Sequence, residues 1–384
     1  MKDPRFELDP QGDTILILRY PNKEQPVWEP QKEVTNWTRR NRIIRQKLFN
    51  SESNPDKDAG PSDSEGTQEP TPESIAPDDE PSVPNDGRDA REQNSKSNEV
   101  QFRLSSRHLA LASPVFKTML NGTWKESAAP SGQSEKSSKA KKPLKNGSAS
   151  STRYELTATE WDDEVFLMLM NIIHGRHTLV PLSIDLITLV KMSVLVDYYQ
   201  CQEVTQLVFR LWIKEFDLPT SYGRDCVAWI FVSWVFSYSD LFAQMTKLAM
   251  RTSEGGFGTI YLPLPPTLLT AMERKRDQFL DIIFNVLGNL CQHLCKGRRG
   301  CNFECSAILL GSLLKGMDEH KLYQACSARR VRRVVLSLES GAERRCVCTL
   351  QRLLRPEFDR AWLIVDGLRL KDYKVQKRKF ADVS

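Results

Sequence analysis

Four cysteines crowd one window of the chain: Cys291, Cys295, Cys301 and Cys305 follow C-x3-C-x5-C-x3-C spacing, with His293 between the first two. Thiolate and imidazole are the ligands of structural zinc, so a metal centre is one reading. Such sites place ligand pairs on tight C-x2-C turns, whereas Cys291 and Cys295 stand four apart on one face of an expected helix. A thiol there acts as a small buried hydrophobe. Packing is the favoured reading, and neither a metal nor a cofactor is expected. His174 and His177 are three apart, but Gly175 lies between them and no carboxylate stands at ligand spacing. A helix-end cap or a surface group follows. Gly255-Gly256-Phe257-Gly258 lacks the GxGxxG spacing and the following lysine that cradle phosphates, so it reads as a loop. There is no GxSxG elbow, HExxH pair or kinase signature, and no enzyme is expected.

Charge supplies a second kind of chemistry. The formal charge of the chain is only +5. Residues 321–384, however, hold 16 basic against 7 acidic side chains, including Arg329, Arg330, Arg332 and Arg333 and the cluster Lys377, Arg378, Lys379. Read functionally, 327–384 is a basic tail for nuclear import or phosphate contact, since cationic clusters attract polyanions. Read structurally, it is a solvated, partly helical extension. The aromatic interleaving of single-strand binders is missing.

The elements that must position these groups follow from periodicity. Residues 14–20, TILILRY, form an apolar β-branched run after Gly12-Asp13 and before Pro21, which predicts a buried strand. VQFRL at 100–104 alternates and predicts a second one. Ser105 or Ser106 caps a helix carrying Leu109, Leu111 and Ala112. Ser113 caps another, with Pro114 in its first turn and Val115, Phe116, Met119 and Leu120 along it, ending at Asn121-Gly122. An apolar patch at 154–156 precedes a helix begun at 159–162, whose Val165, Phe166, Leu169, Met170, Ile172 and Ile173 make one stripe. Further helices are expected from Asp185, over 203–216, 225–241 with continuation to 250, 266–295 and 306–323. Trp229, Phe231, Trp234 and Phe236 have helical spacing and read as core or a helix–helix interface. The class is α+β passing into all-α.

Two stretches stand outside this pattern. Mean hydropathy is -0.45 in spite of 8 Trp and 16 Phe, so some segment must be very polar. Residues 51–90 hold 12 acidic side chains against Lys57 and Arg88, with seven prolines. Such a composition cannot offset its ordering entropy, and an acidic disordered insertion is expected over 21–98. A Ser/Lys-rich basic loop is expected over 127–151. All nine cysteines lie after residue 200 and the first ten residues hold no apolar signal core, which points to a reducing, intracellular setting, cytoplasm or nucleus. The longest apolar stretch, 226–236, has eleven residues, short of the roughly 18 to 20 that cross a bilayer.

The run FRLSSRHLALASPVFKTMLNGTWKE at 102–126 resembles the strand–helix–helix hallmark of the BTB/POZ domain in its filamentous-fungal form. LMNIIHGR at 169–176 and VLVDYYQC at 194–201 are similar to later helices of that group. CNFEC at 301–305 and ILLG at 308–311 extend the likeness to about residue 325. The resemblance implies a small mixed sheet with flanking helices over 12–215, a helical region over 216–326, no catalytic centre, and a role in protein–protein contact. Homodimeric scaffolds and substrate adaptors of cullin-3-type ubiquitin ligases are the implied forms, with no membrane and no small-molecule substrate. A nuclear chromatin- or DNA-associated factor acting through 327–384 is the alternative. Phe102, Leu109, Leu111, Phe116, Met119 and Leu120 are the expected hallmark core. Trp124 and Glu126 stand where cullin adaptors carry a hydrophobic-x-Glu element, so they are the expected contact residues. Ser105 and Ser106 replace the His and basic residue of animal members, so the charged pocket of those members is not implied here. The long insertion between the first two strands is tolerable because loop-closure entropy grows only logarithmically with length.

Overall fold

The computed structural model describes residues 5–22, 99–122, 153–322, 326–338 and 347–374. The acidic insertion and the basic loop therefore lie almost wholly outside the described residues. Strands β1 (Arg5–Glu7), β2 (Thr14–Arg19), β3 (Glu99–Leu104) and β4 (Tyr154–Thr159) form a mixed sheet in the order β1-β3-β2-β4. The two runs on either side of the insertion meet as antiparallel neighbours, with Leu16 opposite Phe102 and Leu18 opposite Val100. Arg19 and Glu99, opposite each other at the mouth of the insertion, form an ion pair at 3.1 Å.

Period two decides which side chains enter the core. Thr14, Leu16 and Leu18 of β2, Val100, Phe102 and Leu104 of β3, and Leu156 and Ala158 of β4 are buried. Ile15 and Ile17 are only half-buried, so β2 has one closed face rather than two. β4 runs parallel to β2, with Leu156 beside Leu16. β1 runs parallel to β3 and stacks Phe6 on Phe102 at 5.4 Å. Gly12 turns the chain into β2 with its Cα so close to β3 that a Cβ would run into the Leu104 carbonyl.

Eleven helices complete the described chain, and local capping chemistry starts several of them. α1 (Ser106–Ala112) and α2 (Pro114–Leu120) are separated by Ser113, whose Oγ accepts the Phe116 N–H at 3.0 Å and donates to the Tyr199 carbonyl at 2.5 Å. Asp162 caps α3 (Asp163–Ile173) and Asp185 caps α4 (Leu186–Tyr199). α5 is Gln202–Trp212 and α6 is Arg224–Val235. α6 is buried on every side, and its Trp229, Phe231 and Trp234, together with Phe236 just past its end, belong to the core. It packs on α4, so one hydrophobic cluster runs from the sheet into the later helices.

The helix expected to run unbroken over 225–241 is interrupted. Ser237 adopts a left-handed φ of 60°, Tyr238 N–H returns to the Ser233 carbonyl, and α7 (Ser239–Thr252) starts anew. α8 (Pro266–Cys295) has the bounds its sequence predicts, and α9 covers Phe303–Glu319. In 327–384 the described residues form α10 (Ala328–Ser337) and α11 (Leu350–Ile364). Val331, Val335, Leu354 and Phe358 are buried, so these two helices are packed rather than a solvated extension. No helix among the described residues is long and apolar enough to cross a membrane.

Candidate docking groove

Beside the outer strand β4 lies a cavity of about 390 Å³, lined by the end of that strand, Met119, Trp161, Lys191, Tyr198 and the segment 260–262. Its wall is an aromatic ladder that climbs from core to surface. Phe116 stacks on Tyr199 at 4.2 Å, and Tyr199 accepts a hydrogen bond at its hydroxyl from Trp161 Nε1 at 3.2 Å. Tyr198 meets Trp161 edge-on at 5.2 Å and is 52% exposed. Tyr199 is thus a fixed plate while Tyr198 presents its ring to solvent.

Asp162 organises the polar side of the groove. Oδ1 accepts the Val165 N–H at 3.0 Å, capping α3, while Oδ2 receives Lys191 Nζ of α4 at 2.6 Å. One carboxylate thereby locks two helices at the cavity wall, and both charges are about four-fifths covered. Across from them Ile260 and Tyr261 are held at φ 47° and 59°. For β-branched Ile260 this left-handed conformation is costly, on the order of 1–3 kcal/mol, and strain of this kind gathers at binding sites. The nearby loop 255–258 is pinned: Gly255 accepts from Arg276, Gly258 N–H donates to Tyr222 Oη at 2.8 Å, and Phe257 lies under the Arg276 guanidinium. What the groove offers is aromatic area with a few fixed polar points, the composition of a recognition surface.

The hallmark residues divide. Phe102, Leu109, Phe116 and Met119 are buried, and Leu120 packs half-buried against the core. Leu111 is corrected: it is 88% exposed. On the seven-residue α1 Leu109 is buried with Ala112 packed beside the core, and two residues on from Leu109 is about 200° around the helix. Trp124 and Glu126 lie outside the described residues. Among the described residues neither His174 nor His177 belongs to a ligand cluster. His174 ends α3 as its C-cap, with Nδ1 donating to the Met170 carbonyl at 2.9 Å and Nε2 accepting the Ser105 N–H at 3.0 Å. Burial holds its pKa below the usual histidine value, reinforced by His108.

The four-cysteine set is not assembled as its spacing suggested. Cys301 and Cys305 gather with Cys348, and neither Cys291 nor Cys295 joins them. Burial, aided by neighbouring Cys295, pushes the Cys291 thiol up to about 11, as suits a packed thiol. The arginine run is similarly redistributed. Arg329 donates to the Thr220 carbonyl at 2.7 Å, Arg330 faces Glu254 at 3.8 Å and Arg332 pairs with Asp359. Arg251, Arg329, Arg332 and Arg333 border an open cleft around Trp362, whose ring carries the guanidinia of Arg251 and Arg332 at 5.1 and 4.9 Å. Lys374 caps the end of α6, reaching the Trp234 and Val235 carbonyls at 2.7 and 3.0 Å.

Trp161 and Tyr198 stood in view in the sequence, a Trp directly before an N-cap and a Tyr pair at a helix end, yet nothing local joins them. Ile260 and Cys348 gave no signal at all. No family model, curated protein or solved structure matches the chain.

Proposed function

We propose that the chain is a non-enzymatic protein–protein interaction module of BTB/POZ type, working as a homodimeric scaffold or as a substrate adaptor of a cullin-3-type ubiquitin ligase. The order of elements supports the reading: an antiparallel strand pair, two short helices, a strand parallel to the first, then helices packed on the sheet. The observation that carries it is the aromatic groove, because partly exposed Trp and Tyr rings on a rigid wall are the side chains that concentrate interface energy. Leu207 and Leu211, one turn apart on α5 and 69% and 48% exposed, add an apolar stripe that the core does not use. Sedimentation of the full chain, alone and mixed with a cullin-3 scaffold, tests the proposal. The expected result is a dimer or a cullin complex that Tyr198→Asp weakens at least tenfold, about 1.4 kcal/mol. A monomer that binds no cullin overturns it.

The cleft around Trp362 favours a second reading, a nuclear factor that contacts nucleic acid through 327–384. It draws on Arg333, which has no ion-pair partner among the described residues, while Arg329, Arg330 and Arg332 are engaged within the chain. Absence of DNA binding at low salt removes this reading.

A further inference from the structure

Two of the thiols singled out by spacing and one that was not come together at a single point. The Sγ atoms of Cys301, Cys305 and Cys348 all lie within 4.8 Å of one another. Cys301 is exposed, Cys348 half-buried and Cys305 buried, so the cluster opens to solvent on one side. We propose that these three cysteines form a structural zinc site. Three thiolates around a tetrahedral ion with Zn–S of about 2.3 Å stand roughly 3.8 Å apart, so side-chain adjustments of an ångström or less bring the three sulfurs to that spacing, and the fourth position, on the side open to solvent, would be taken by water.

The backbone holds the donors in place. Between α8 and α9 the chain reverses through Gly297 and Gly300, at φ 63° and 98°, and a Cβ on Gly300 would stand 3.0 Å from the Ser306 nitrogen. This tight knuckle sets Cys301 directly before Asn302, the cap of α9, whose Oδ1 accepts the Cys305 N–H at 2.8 Å. Cys348 directly precedes Thr349, the cap of α11, whose Oγ1 accepts the Arg352 N–H at 3.2 Å. The first turns of two long helices therefore converge on the three sulfurs. Soft sulfur donors select zinc over magnesium or calcium.

Binding is a proton exchange. Each S–H bond breaks as an S–Zn bond forms, the proton passes to solvent, and no electrons move. The ion would tie the α8–α9 turn to the chain entering α11, beside the direct packing of α8 on α11.

The test is zinc content of the full chain, purified with zinc present under reducing conditions and dialysed against metal-free buffer. About one zinc per chain is expected, retained in Cys295→Ser and lost in Cys301→Ser and in Cys348→Ser. Both of those positions are at least partly exposed, so the variants fold even where Cys305→Ser does not. Cobalt in place of zinc is expected to give thiolate-to-metal charge-transfer absorption that the same two variants lose. A wild-type chain that retains no zinc, zinc retained equally by both variants, or a Cys301–Cys348 disulfide found by mass mapping of the reduced preparation each overturns the site.

Discussion

A double-mutant cycle on Leu16 and Phe102 probes the strand pair that closes around the acidic insertion. The two residues face each other in the antiparallel register of β2 and β3, both fully buried. Phe102 is also flanked by the Phe6 and Phe166 rings at 5.4 and 5.3 Å. Truncating a buried Phe to Ala costs about 3–5 kcal/mol and a buried Leu about 2–5 kcal/mol. Because they are direct neighbours, the two losses should fail to add, by about 0.5–3 kcal/mol. Leu111→Ala is the control, and its exposure limits the effect to about 0.5 kcal/mol. Guanidinium denaturation of the full chain, followed by far-ultraviolet circular dichroism, reads the shift in midpoint for each variant. Strictly additive losses at Leu16 and Phe102, or a Leu111→Ala loss as large as that of Phe102→Ala, would refute the pairing and the burial reasoned from it.

Three further outcomes follow. His174 has a folded-state pKa below its unfolded value because of burial, with His108 and Arg176 assisting and the hydrogen bond to the Met170 carbonyl and Asp9 opposing. Its contribution to stability is therefore complete above about pH 6.5 and is lost as pH falls through the folded pKa; thermal melts should flatten over that range in His174→Gln, and an unchanged pH profile contradicts the assignment. Asp162→Ala removes both a helix cap and the partner of Lys191, costing about 2 kcal/mol or more. Asp162→Asn should restore the cap but not the ion pair, giving an intermediate melting temperature, and equal melting temperatures would separate Asp162 from one of its two roles. Lys374→Met should lower stability by about 0.3–2 kcal/mol through loss of the α6 cap, measurable as a shift in midpoint, with no shift if Lys374 is simply solvated.

Where chemistry is local, the sequence was readable. Ser113-Pro114, Asp162 and Asp185 announce helix starts because a short polar side chain satisfies free N–H groups at that one place. α8 was legible at both ends from Pro266 and its long apolar period. The β2–β3 pair was legible because each run has one apolar face. Where the deciding contact is distant, the reading ran out. The parallel register of β4 and three-residue β1 depend on partners that no local pattern names. The break at Ser237 carries neither Gly nor Pro. α1 is too short for its period to separate Leu109 from Leu111. The arginines at 329–333 read as a solvated run, although Val331 and Val335, one turn apart, bury their side of α10 and leave Arg329, Arg330 and Arg332 to bond across to other elements. Of the groove, Trp161 and Tyr198 were visible as residues but not as neighbours, and Cys348 lies too far along the chain from Cys305 for spacing to connect them.

Photo-crosslinking from the groove tests the docking role most directly. With a benzophenone amino acid in place of Tyr198 in the full chain, irradiation should yield a covalent adduct to a second copy of the chain or to added cullin-3 scaffold, while the same probe at Leu363, an exposed site on α11 that does not line the groove, yields none. A Tyr198 probe that links to neither, or a Leu363 probe that links equally well, would contradict the account.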